Sequence, residues 1–132
     1  MELGIIGMPL TGKTTVFELL TDLNKSPHTG KINKAIAKIP DDRIDFLASL
    51  YKPKKTTFAQ LEIVDIPGLV PGAEKATVLF LDAVRKADAL LQVVRVFDDS
   101  AIPILDGEIN PIKEIENISY ELLLADLDLI EK

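Results

Sequence analysis

The residues from Gly7 to Thr15, Gly-Met-Pro-Leu-Thr-Gly-Lys-Thr-Thr, carry the densest chemistry in the chain. Gly7, Gly12, Lys13 and Thr14 satisfy the spacing G-x-x-x-x-G-K-[ST], with an apolar stretch before them and Val16, Leu19, Leu20 and Leu23 at helical spacing after them. Glycines let the backbone wrap tightly and turn successive N–H groups inward, making a concave cradle for phosphate oxygens at the positive end of a helix. Lys13 adds a point charge that reaches the outer phosphates, the Thr14 hydroxyl suits Mg²⁺, and Thr15 extends the anion contacts. The expected nucleotide-binding segment is Pro9, Leu10, Thr11, Gly12, Lys13, Thr14 and Thr15.

A metal-bound nucleotide also needs a carboxylate at the end of a neighbouring buried strand. Asp65 closes the apolar run of Leu-Glu-Ile-Val-Asp-Ile-Pro-Gly and is the expected second metal residue. Gly68, three residues on, is small enough for its N–H to approach a terminal phosphate. The next residue, Leu69, stands where a water-orienting side chain would act, and leucine neither donates nor accepts a hydrogen bond. Gly68 and Leu69 are thus the expected catalytic positions, with hydrolysis slow or dependent on other groups to place water. Thr29 is the candidate loop hydroxyl that would close over the metal. His28, the only histidine, reads as a loop residue beside it.

These residues need elements to hold them. Leu3 to Ile6 reads as a buried strand and Lys13 to about Leu23 as an amphipathic helix. Asn24 to Asn33 reads as a mobile loop, and Lys34 to Ile39 as a weak apolar segment. Pro40-Asp41-Asp42 is a helix start, with Ile44, Leu47, Ala48 and Tyr51 on one face and Pro53 as the stop. Phe58 to Ile66 and Ala89 to Phe97 read as buried strands, with a helix over Lys75 to Ala87 between them. Strands alternating with helices predict an α/β fold with a mostly parallel sheet. From Ile112 onward, Ile115, Ile118, Leu122, Ala125 and Leu129 follow 3-4-3-4 spacing in an acidic helix. Its apolar seam is expected to be exposed and to find a partner outside the chain or in a second copy; packing on its own sheet is the alternative.

Bulk properties fit a local phosphate site. The 132 residues suit one domain, 47% of them are hydrophobic, and the net charge of −6 argues against a polyanion as the main ligand. The absence of cysteine removes thiolate chemistry and fits a reducing compartment. No apolar run is long enough to span a bilayer and no leader pattern is visible, so a cytoplasmic protein with no membrane and no DNA partner is expected.

With these pieces in order, the sequence resembles the Obg-like ATPase family, the YchF-type branch of the translation-factor-related P-loop GTPases. The resemblance rests on "GMPLTGKTT", "DIPGLVPGA", "PDDRI" at Pro40 to Ile44, "YKPKKTT" at Tyr51 to Thr57, "VVRVF" at Val93 to Phe97 and "ELLLADLDLIE" at Glu121 to Glu131. It implies a Ras-like G domain, Mg²⁺-dependent hydrolysis of ATP or GTP with a hydrophobic residue at the catalytic glutamine position, and association with ribosomes. It also implies Thr29 as a Mg²⁺-sensing threonine. Residues 1–110 would be the N-terminal portion of the G domain, and 111–132 the first arm of an inserted helical hairpin. The family's usual Asn-Val is Leu10-Thr11 here, and the guanine-reading Asn-Lys-x-Asp is absent, so the sheet is expected to be incomplete on its C-terminal side and the base preference stays open. Self-association through the tail helix or an uncovered sheet edge is expected. A hydrolase, a nucleotide-gated binding module with negligible turnover, and a small-molecule kinase all remain readings of the same loop.

Overall fold

A computed structural model of the chain describes residues 1–21, 32–69, 74–104 and 107–131. Four strands form one sheet, β1 (Glu2–Ile6), β2 (Asn33–Lys38), β3 (Gln60–Asp65) and β4 (Ala89–Gln92), in the order β2-β3-β1-β4. β1 runs parallel to both neighbours, with Ile5 beside Asp65 and Leu91, while β2 joins β3 antiparallel. The helices are α1 (Lys13–Thr21), α2 (Asp42–Tyr51), α3 (Glu74–Val84) and α4 (Pro111–Ile130).

Side chains alternate across a strand, so consecutive apolar residues must be buried on opposite faces. Ile5 and Ile63 join Ala37 and Phe17 of α1 in one cluster. Ile6 and Val64 join Ile66, Leu69, Phe80 of α3 and Ile118 of α4 in the other. The central strands β1 and β3 therefore read as continuous apolar runs because they are covered on both faces.

Several sequence expectations are corrected. The run from Ala89 to Phe97 is paired only to Gln92; Val93 donates a final hydrogen bond to Ile6 O (2.8 Å), and there β1 turns away into its loop. A strand does not continue past its partner, which among the described residues is β1 alone, and Val96 and Phe97 are exposed. The strand expected from Phe58 begins at Gln60, and the helix expected over Lys75 to Ala87 spans Glu74–Val84. In α1 the fully buried apolar residue is Phe17, whereas Leu19 is exposed.

The start of α2 follows the sequence reading: Asp41 caps it, accepting from Arg43 N at 3.0 Å, and Lys52 ends it in the left-handed region (φ 45°) just before Pro53. Its apolar face, however, holds no buried residue among those described. The tail helix departs in part from the expectation of an exposed seam. Ile118 and Ala125 are buried and Leu122 packs against the cluster that holds Ile118 and Phe80, so the middle of the seam covers the chain's own core, while Ile115 and Leu129 at its ends are exposed. A second exposed apolar stripe runs along another face, with Tyr120, Leu123, Leu127 and Ile130 at 3-4-3 spacing.

Candidate functional site

The loop joining β1 to α1 carries the phosphate-type motif at the C-terminal end of the sheet, where open α/β sheets take ligands. Three of its residues adopt positive φ: Gly7 (156°), Leu10 (64°) and Gly12 (93°). Gly7 is dictated by space as well, since a Cβ there would lie 2.4 Å from Val93 O. Leu10 stands where an L-residue is disfavoured by the clash of its Cβ with the backbone.

Inside the loop, the Met8 carbonyl is a hub. It accepts from Lys13 Nζ at 2.8 Å and from Thr11 Oγ1 at 3.0 Å, and both side chains are buried. Burial pushes the Lys13 amine below its usual pKa of 10.5, while the charges of Asp65 and Glu114 push it up. Lys13 is thus a partly desolvated cation, held by a carbonyl that a stronger acceptor could replace.

Thr14 Oγ1 donates to Asp65 Oδ2 at 2.8 Å. α1 begins one residue before Thr14, and β3 ends at Asp65 beside Ile5, so parallel register brings the two together across 51 residues of sequence. A hydroxyl and a carboxylate form a hard oxygen pair of the kind Mg²⁺ takes when phosphate oxygens and water supply the remaining ligands. Among the described residues no cluster of three or more acidic, His or Cys side chains could hold a metal without such help.

Gly68 lies against the loop: a Cβ there would meet Pro9 N at 2.9 Å and Lys13 Nζ at 3.0 Å. Leu69 does not share this position. Its N–H donates to Gly7 O at 3.3 Å while its side chain is fully buried with Ile66 and Phe80. The Leu69 backbone thus adjoins the loop while its side chain lies in the core, where burial of an apolar group is favourable. Thr29, like His28, lies outside the described residues.

Beside the loop, a groove of about 670 Å³ runs from Thr11, Lys13 and Thr15 to Val93, Phe97 and Ile102, a size that suits a small organic ligand. The groove's far wall is braced by Arg95, a residue to which the sequence pattern assigns no role. Its guanidinium donates to the carbonyls of Phe97 (3.1 Å), Pro103 (2.9 Å) and Ile102 (3.0 Å) and lies 4.9 Å from the Phe97 ring centre. The "VVRVF" run contained the only signal, an arginine within an apolar stretch. Glu114 was equally silent, because a first-turn acid on a helix is usually solvated.

Residues 2–126 match the family model described as 50S ribosome-binding GTPase. The chain is 40% identical to the ribosome-binding ATPase YchF of Bacillus subtilis, over 98% of this chain and 37% of the relative. It is 39% identical to Obg-like ATPase 1 of Schizosaccharomyces pombe, over 100% of this chain and 36% of the relative. The solved structure of the S. pombe YchF GTPase superposes with a TM-score of 0.77 at 38% identity, over 99% of this chain and 37% of that one. The chain thus spans little more than a third of the length of these relatives. With a P-loop between β1 and α1, Asp65 at the end of β3 and a mostly parallel sheet behind both, the chain belongs to the 50S ribosome-binding GTPase family, among relatives that are YchF-type Obg-like ATPases.

Proposed function

We propose that the chain binds ATP or GTP with Mg²⁺ and works as a slow, switch-type hydrolase. The observation that carries this reading is the convergence of the phosphate loop, buried Lys13 and the Thr14–Asp65 pair at one edge of an open groove. Lys13 would leave the Met8 carbonyl for phosphate oxygens, which are stronger acceptors, and the backbone N–H groups of Leu10 to Thr15 would complete the cradle. Thr14 and Asp65 would hold Mg²⁺, directly or through water, with Thr29 as a further candidate ligand. When bound, the ion neutralises charge building on the phosphate oxygens.

Gly68 gives a terminal phosphate close access to the backbone. The chain offers positional and electrostatic help rather than a general base, because Leu69 is withdrawn into the core. That same withdrawal favours a second reading, a nucleotide-gated binding module with negligible turnover. The names of the relatives support the ribosome as partner and the cytoplasm as location, and α4 would begin a helical insertion, with its exposed stripe awaiting the returning arm.

The test is binding of labelled ATP and GTP with and without Mg²⁺, followed by phosphate release. Saturable, Mg²⁺-dependent binding that is abolished by Lys13→Ala is expected. Binding that ignores both the ion and the substitution would sink the reading, and binding without turnover would select the gated module.

A further inference from the structure

Glu114, in the first turn of α4, reaches back to the nucleotide site. Its carboxylate accepts a hydrogen bond from Arg95 N at 3.1 Å. Arg95 in turn grips the carbonyls of Phe97, Ile102 and Pro103, so the backbone that Glu114 holds is the one that shapes the far wall of the groove. Glu114 and Arg95 also line a small cavity of about 40 Å³, large enough for a water, together with Met8 and Pro9 of the phosphate loop.

We propose that Glu114 is a positioning residue that couples α4 to the nucleotide site, fixing Arg95 and through it the 97–103 wall. This rests on the nucleotide-binding reading above. The helix itself holds Glu114 in place. Asn110 caps it, its side chain accepting from Lys113 N at 3.1 Å, and Ile118 one turn beyond Glu114 anchors it in the core. A carboxylate in the first turn is also favoured by the helix dipole, so Glu114 is seated before it makes any contact.

Coupling is reciprocal. If nucleotide tightens the wall that Glu114 holds, it must also tighten the first turns of α4, and loosening α4 must weaken nucleotide binding by the same factor. The experiment measures hydrogen exchange of the amides of residues 111–118, with and without saturating Mg²⁺–ATP or Mg²⁺–GTP, in the chain and in Glu114→Ala and Glu114→Gln. Nucleotide is expected to slow exchange there in the original chain. In Glu114→Ala that response disappears and affinity falls by about 5-fold or more. Glutamine keeps an oxygen acceptor for Arg95 N, so Glu114→Gln restores the response. A residue that merely stabilised the fold would lower the melting temperature of Glu114→Ala but leave the nucleotide-dependent change in place. An α4 that ignores bound nucleotide, or a glutamine variant that behaves like alanine, overturns the coupling alone. Failure of the original chain to bind any nucleotide overturns the parent reading with it.

Discussion

Thr14 and Asp65, brought within 2.8 Å by the parallel pairing of β1 with β3, form a side-chain contact that joins the phosphate loop to the acid that ends β3. The hydrogen bond fixes both oxygens before any ion arrives, and pre-orientation of that kind lowers the cost of binding. Asp65→Asn retains the shape but loses the charge. We expect it to weaken Mg²⁺-dependent nucleotide affinity by about 10- to 100-fold, while affinity measured in EDTA changes little. Titration of labelled nucleotide in the two conditions checks this; equal losses in both would mean that Asp65 serves the loop's shape rather than the metal.

Lys13 gives the site a pH dependence of definite sign. Without phosphate charge nearby, burial lowers its pKa below 10.5, and Asp65 and then Glu114 offset part of that. Between the lowered value and 10.5 the unfolded chain holds more protons, so the stability of the unliganded fold rises with pH in that window. Bound phosphate shifts the amine the opposite way, so binding takes up a proton. Affinity should therefore fall as pH climbs through the lowered pKa. Calorimetry in two buffers of different ionisation enthalpy reads the uptake directly, and equal heats in the two buffers across that pH window would mean that Lys13 takes up no proton on binding.

Leu10 holds φ at 64° on an exposed turn of the loop, where its side chain gains little from burial. Asparagine tolerates this conformation far better. Leu10→Asn is expected to stabilise the chain by about 1 kcal/mol, read as a shift in the urea midpoint at constant slope.

Gly68 is constrained by space. A methyl group there would press on the Pro9 backbone, which cannot yield as a flexible side chain can. Gly68→Ala should cost about 1–3 kcal/mol and weaken triphosphate binding more than diphosphate binding. Equal losses for both nucleotides would remove Gly68 from any role at the terminal phosphate.

How much of this was legible in the sequence follows from how local each signal is. Gly7, Gly12, Lys13 and Thr14 encode a backbone turn within one short segment, so the spacing alone announces it. Asp65 was legible because an acid ending an apolar run is an anomaly with few explanations. Arg95 and Glu114 were not, since their roles exist only after α4 returns to the sheet and a carboxylate meets a backbone N–H 19 residues away. The strand expected through Phe97 failed for a related reason: its apolar pattern describes what the side chains tolerate, while its length is set by where β1 stops offering partners.

The seating of α4 can itself be decided by substitution. Its heptad-like spacing suggested an exposed seam, yet Ile118 is 1% exposed and packs against Ile66 and Phe80, while Leu123 on the outer stripe is 62% exposed. If the helix is part of this chain's core, Ile118→Ala should remove about 2–5 kcal/mol of stability. Leu123→Ala should stay within about 0.5 kcal/mol. If α4 instead docked only on an outside partner, both substitutions would leave the stability of the isolated chain nearly unchanged. Equilibrium unfolding of the two variants separates the cases, and the same pair bears on self-association: an assembly built on the exposed stripe loses affinity with Leu123→Ala while its subunits remain folded.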